Sequence, residues 1–179
     1  MPVFLLSIGH VFFEMKDFFK KNLKADKIIS FLMIFSLLAV ISYHLFSLYG
    51  ISFVMKGKEI ESVSGKDIET GLAKGVSISE GKVILNFWAT WCGACVEELP
   101  LFVKASSSVK IIGVLQPPVN KSIINEYGLT YENVIGNEAL LALFKINAFP
   151  TTFFIKDRKV EKVFVGKIDE KEISSWLAK

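Results

Sequence analysis

The chain carries 21 Lys and Arg against 18 Asp and Glu over 179 residues, a formal net charge of +3 that gives no electrostatic footprint for nucleic acid. That length suits one ordinary domain plus an appendage. A mean hydropathy of +0.44 is high for a wholly soluble protein, so the apolar excess must be concentrated in one place.

Residues 1–27 come first. Phe4, Ile8, Val11, Phe12, Met15, Phe18, Phe19 and Leu23 recur at helical spacing, with His10, Glu14, Asp17, Lys20, Lys21 and Lys24 tending to the other side. The pattern predicts an interfacial amphipathic helix on the inner leaflet. The apolar excess follows. From Ile28 to Leu48 the chain runs about twenty residues without a charge, the length a helix needs to cross ~30 Å of hydrocarbon. Residues 28–49 are read as a single transmembrane helix, and the lipid bilayer as a partner. The run exceeds a usual signal-peptide core and lacks a clean small-x-small site, which favours an anchor over a cleaved leader. Lys16, Lys20, Lys21, Lys24 and Lys27 precede it and only Lys56 and Lys58 follow closely, so the N-terminus is expected in the cytoplasm and residues 50–179 outside.

Beyond Ile51 strand-like and helical runs alternate. Residues 52–81, dotted with Gly and Lys, suggest a hairpin or edge strands. Val83–Trp88 (VILNFW) reads as a buried strand, and a helical stretch follows from Gly93 to about Ala105. Val109–Leu115 reads as a second buried strand closed by Pro117 and Pro118. NKSIINEYG predicts a helix ending at Gly128, and NEALLALFKI another with Asn137 as its N-cap. TTFFIK and KVEKVFVG form a hairpin through Asp157 and Arg158, and Asp169 caps a last helix through Trp176. The expected class is α/β, a mixed sheet covered by helices on both faces.

Both cysteines of the chain, Cys92 and Cys95, lie in NFWATWCGACVEELP, two residues apart. A zinc site needs about four ligands, and the only histidines, His10 and His44, sit in the N-terminal membrane region, so no metal site is expected. A static disulfide closing so short a loop removes little entropy from the unfolded chain. Redox chemistry remains. Cys92 falls where a buried strand ends and a helix begins, where backbone N–H groups and the helix dipole stabilise a thiolate. Cys95 lies on the same side of the first turn and can attack a mixed disulfide formed at Cys92.

NFWATWCGAC, EELP with Pro100 in the helix, and FPTTFFIKDRKVEKVFVG match, in order and spacing, the thioredoxin superfamily. The chain most resembles the membrane-anchored, TlpA- and ResA-like thiol-disulfide oxidoreductases of the bacterial envelope. The resemblance covers about 81–179 well and 51–80 loosely. It implies a thioredoxin-like fold behind the single transmembrane helix, Cys92 and Cys95 as the dithiol, Trp91 as the flat surface beside it, and Pro150 as a cis-proline. The backbone at Phe149 would pair with an extended substrate peptide. It further implies a bacterial inner-membrane location with a periplasmic domain, protein disulfide substrates, a role in cytochrome c maturation, a membrane electron donor of the DsbD or CcdA kind, and no cofactor.

Two departures bear on the chemistry. Asn86 stands where thioredoxins carry a buried Asp, so the proton acceptor for the inner cysteine has to come from elsewhere; Glu97 and Glu98 are the candidates, against the alternative of solvent-facing acids in an early helical turn. Gly93 and Ala94 between the cysteines differ from the Gly-Pro of thioredoxin, leaving the redox direction open between a reductase and a thiol oxidase or isomerase. A Sco-type copper site would require cysteines spaced by three residues and a downstream His, which this chain lacks. Copper-tolerance-linked disulfide exchange and a non-catalytic peptide-binding adaptor are the other readings.

Overall fold

Residues 25–179 are described in a computed structural model of the chain. Its elements are α1 (Ala25–Met55), β1 (Ser62–Lys66), β2 (Ala73–Ser77), β3 (Lys82–Ala89), α2 (Gly93–Ala105), β4 (Lys110–Gln116), α3 (Lys121–Tyr127), β5 (Glu132–Ile135), α4 (Glu138–Leu143), β6 (Thr151–Lys156), β7 (Lys159–Val165) and α5 (Glu170–Leu177). Most of the segment read as an interfacial helix lies outside the described residues.

Within α1, Lys27–Phe46 is long and apolar enough to cross a membrane. The division between this part and the folded domain falls between Ser47 and Leu48. Residues 28–49, read as the transmembrane helix, lie within α1, which runs on to Met55. Its last turns belong to the domain: Ile51 and Met55 are buried and join the core cluster beneath the sheet.

The sheet has seven strands in the order β2-β1-β5-β4-β3-β6-β7. β3 pairs parallel with β4, and β4 with β5, while β6 and β7 complete one side antiparallel. The alternation of side chains along each strand builds two layers. Val83, Leu85, Phe87, Phe153 and Ile155 face one side, where Leu140 and Phe144 from the α4 region cover them. Ile84, Ile111 and Phe154 face the other, under Phe102 of α2 and Ile173 and Trp176 of α5.

Caps fix the helix starts. Asn120 Oδ1 accepts from Ser122 N at 3.0 Å, Asn137 Oδ1 from Leu140 N at 2.8 Å and Asp169 Oδ1 from Glu172 N at 2.8 Å. Gly128, at φ 54°, ends α3 in the left-handed conformation that costs glycine least. The β6–β7 turn places Asp157 and Arg158 both at positive φ, the backbone a two-residue hairpin of this twist requires. Asp157 Oδ1 accepts from Gly81 N at 2.9 Å across that turn.

The chain leaving α1 docks at this same end of the sheet. Gly57 N donates to Val160 O and Ile60 N to Arg158 O, each at 2.8 Å. β3 runs from this end, where Lys82 faces Lys156, to the opposite end, from which the chain enters Cys92. The dithiol and the segment that follows α1 therefore lie at opposite poles of the sheet, about 26 Å of strand apart.

β5 carries no expectation from the sequence. Its four residues are too few for a periodic signal, yet β5 joins the β1–β2 hairpin to the parallel core through Lys66 and Ile135.

Candidate redox-active site

Cys92 and Cys95 are joined as a disulfide with Cα atoms 5.2 Å apart. Cys92 is the N-cap of α2, in an extended conformation, and its Sγ accepts from Cys95 N at 3.3 Å. The helix therefore aims an N–H group at the outer sulfur, the arrangement that stabilises a thiolate once the pair is reduced. The two sulfurs differ in access. Cys95 is fully buried among Trp88, Leu99 and Leu115, while Cys92 is half-buried. An incoming disulfide can reach Cys92 and not Cys95.

Around Cys92 the surface is apolar. Trp91 is exposed and meets the edge of Phe149, ring centroids 5.7 Å apart and nearly perpendicular. The Phe149–Pro150 peptide bond is cis, and Pro150 is buried at the head of β6, with Gly166 N donating to its carbonyl at 2.8 Å. On the other flank, Trp91 Nε1 reaches Pro117 O at 3.4 Å, and Thr90 Oγ1 bridges Pro118 O (3.1 Å) and Asn120 N (3.0 Å). Pro117–Pro118 is also cis. Sequence reading took these prolines only as the end of a strand. The signal that could have found them is their position: they directly follow a central parallel strand, whose C-terminal end opens on the same pole as the dithiol.

The two candidate acids separate. Glu97 is exposed and ion-paired with Lys167, whose hydrogen bond and charge hold its carboxyl below the ordinary range. Glu98 is buried, one turn beyond Cys95 on α2. Its Oε1 accepts from Asn86 Nδ2 at 3.1 Å and its Oε2 from Ile168 N at 3.2 Å. Burial pushes the Glu98 carboxyl up to about 7, while the bonds from Ile168 and Asn86 and the charge of Lys167 pull it down. A carboxyl balanced near neutrality beside a buried thiol can accept and release a proton at physiological pH.

Asn86, at the thioredoxin Asp position, also donates to Thr152 Oγ1 at 3.0 Å. Thr152, Asn86, Gly113 and Asn133 stand in register across β6, β3, β4 and β5, a row of polar or small residues beneath α2. Asn133 Oδ1 accepts from Trp88 Nε1 at 3.1 Å and thereby orients the indole that packs in the Cys95 cluster. Among the described residues no group of His, Cys, Asp and Glu is arranged to hold a metal ion.

The thioredoxin family profile matches residues 67–179. ResA, a thiol-disulfide oxidoreductase of Geobacillus thermodenitrificans, is 31% identical over 105 residues, a match taking in 53% of this chain and 60% of the relative. ResA of Bacillus subtilis is 30% identical over 66% of this chain and 69% of the relative. Among solved structures, StoA from Bacillus subtilis superposes with a TM-score of 0.55 and 25% identity over 67% of this chain and 99% of that one. With a profile match over more than half its length, the chain belongs to the thioredoxin family and counts thiol-disulfide oxidoreductases among its relatives.

Proposed function

We propose that this chain is a membrane-anchored thiol-disulfide oxidoreductase that reduces disulfides of envelope proteins. The observation that carries the reading is the asymmetry of the pair: an accessible Cys92 at a helix N-terminus, a sealed Cys95 behind it, and a buried carboxyl one turn on.

In the reduced protein the Cys92 thiolate attacks one sulfur of a substrate disulfide, forming a mixed disulfide and expelling the first substrate thiolate. The substrate chain lies extended along Phe149 and Pro150 with Trp91 as its floor. Cys95 then gives its proton to Glu98 and attacks Cys92 Sγ. The second substrate thiolate leaves, and the Cys92–Cys95 disulfide remains. Two electrons have passed to the substrate. Gly93 and Ala94 add no polar side chain between the cysteines, so the thiolate draws on the N–H groups of the helix terminus.

Lys27–Phe46 serves as a single-pass anchor in the inner membrane, with the lysines before it cytoplasmic and the redox domain periplasmic. In that oxidising space a dithiol stays reduced only if supplied with electrons, so a membrane dithiol donor of the DsbD or CcdA kind completes the cycle. Apocytochromes c before haem attachment are a substrate class consistent with this chemistry.

The test is the reduction potential of the Cys92/Cys95 pair, measured on the full chain in detergent against glutathione and dithiothreitol buffers. A value near about −270 mV or lower supports a donor-driven reductase. A value approaching about −120 mV makes the protein an oxidant and overturns the assignment.

A further inference from the structure

Trp91, 56% exposed and next to Cys92 in the chain, is held from two sides: the Phe149 ring lies 5.7 Å away, and Pro117 O is 3.4 Å from the indole Nε1. Pro117 and Pro118 are themselves exposed and continue the apolar surface of the indole. Proline has no N–H, so a Pro-Pro pair has only its two carbonyls to offer a hydrogen-bonding partner. Both are taken. Pro117 O accepts from Trp91 Nε1, and Pro118 O accepts from Thr90 Oγ1 at 3.1 Å. This wall therefore presents two pyrrolidine rings and an indole, with every backbone N–H absent and every carbonyl already engaged. Phe149, on the other flank, is the opposite case: it precedes β6, and its own N–H and C=O make no hydrogen bond among the described residues.

Thr90 is what fixes the wall. It is buried, 6% exposed, in the turn between β3 and Cys92. Its hydroxyl donates to Pro118 O and accepts from Asn120 N at 3.0 Å, so one side chain ties both ends of the 118–120 stretch to the strand that delivers Cys92. Val119, between those ends, packs with Cys92 against the cluster around Cys95. Lys121, the first charged residue after the two prolines, is paired with Glu69 at 3.2 Å.

We infer that Trp91, Pro117 and Pro118 form an apolar subsite for a side chain flanking the substrate cysteine, and that Thr90 is the positioning residue that holds this subsite beside Cys92. The substrate class is a disulfide whose cysteine has apolar neighbours. A polar side chain laid against the wall loses its water and finds no partner, whereas an aliphatic one buries apolar surface. The inference rests on Cys92 being the attacking sulfur of a reductase.

The experiment follows oxidation of the pre-reduced full chain in detergent by stopped flow. Its substrates are disulfide-linked dimers of a short peptide whose cysteine is flanked on both sides by leucine or, at similar size and charge, by glutamine. Each event converts one peptide disulfide to two thiols and the Cys92/Cys95 dithiol to its disulfide. The expected wild-type second-order rate constant is roughly tenfold higher for the leucine peptide. Thr90→Val keeps the volume and removes the hydroxyl; its half-saturating concentration for the leucine peptide should rise about fivefold at an unchanged limiting rate. Thr90→Ser keeps the hydroxyl and should behave as wild type. Pro117→Ala, on the surface, should erode the same preference and leaves the bonds of Thr90 intact. Equal rates on the two peptides in the wild type, or an undiminished leucine preference in Pro117→Ala, overturn the subsite. An undiminished preference in Thr90→Val, or a limiting rate lowered alike for both peptides, overturns the positioning role of Thr90. If the pre-reduced wild type passes electrons to neither peptide, the reductase reading falls and this inference with it.

Discussion

Trp88 donates its indole N–H to Asn133 Oδ1 at 3.1 Å directly over the bare α-carbon of Gly113. A Cβ at Gly113 would run into the Asn133 amide and lie 3.0 Å from Trp88 Nε1, so the glycine is what lets β3 and β5 join hands across β4. Gly113→Ala is expected to destabilise the domain by about 1–3 kcal/mol, the usual cost of overpacking a filled core. Urea denaturation followed by tryptophan emission measures it. Adding Asn133→Ala frees the space, so the double variant should lose less than the sum of the two single ones; strict additivity would show that the amide is not what the methyl meets.

The buried Glu98 makes stability depend on pH in a defined window. Its folded value of about 7 stands above the ordinary 4.5, so between those limits the folded state holds a proton that the unfolded chain has released. Stability is therefore full below about pH 4.5, falls as pH rises and levels off above about 7, a loss of roughly 3 kcal/mol. Asp67, held at about 2, and Glu97, also lowered, act below this window. The measurement is the denaturation midpoint of the oxidised protein from pH 4 to 8. Glu98→Gln should flatten the curve, and a slope that survives the substitution would assign it to another group.

Much of this was legible in the sequence, and what was hidden had a physical reason. The strand ending in Trp88, the N-cap position of Cys92, the Gly128 end of α3 and the capping of α4 and α5 by Asn137 and Asp169 all follow from local rules. Glu98 did not. Two adjacent acids in an early helical turn read as solvent-facing, and only the third dimension separates Glu97, on Lys167, from Glu98, under the helix beside Asn86. The end of α1 was equally hidden, because residues that belong to a core and residues that belong in lipid are both apolar. Buried Met55 and exposed Leu45 cannot be told apart until the core is seen.

The difference in access between the cysteines gives a chemical test. Cys95→Ser should accumulate a mixed disulfide between Cys92 and substrate, since the resolving thiol is gone, whereas Cys92→Ser should accumulate none, because Cys95 is sealed in the core. Turnover should fall to background in both. Non-reducing electrophoresis of each variant after incubation with a disulfide-bonded protein reads the outcome. Trapping at Cys95 instead would reverse the assigned roles.

The last turns of α1 yield the final prediction. Ile51 and Met55 are 5% and 3% exposed, packed with Ile60, Val63 and Val160 in the core cluster, so the end of α1 supplies part of the domain's interior. Burial of two such side chains contributes about 1.5–3 kcal/mol each. A fragment beginning at Leu48 should accordingly fold with a stability about 3–6 kcal/mol above one beginning at Lys56. Urea titration of the two fragments is the measurement. Equal midpoints would show that Ile51 and Met55 fill space without stabilising the domain. The expected gap would mean that cutting the chain at the apparent end of the apolar helix removes a piece of the fold, and that the shorter fragment is the wrong material for measuring the potential of Cys92 and Cys95.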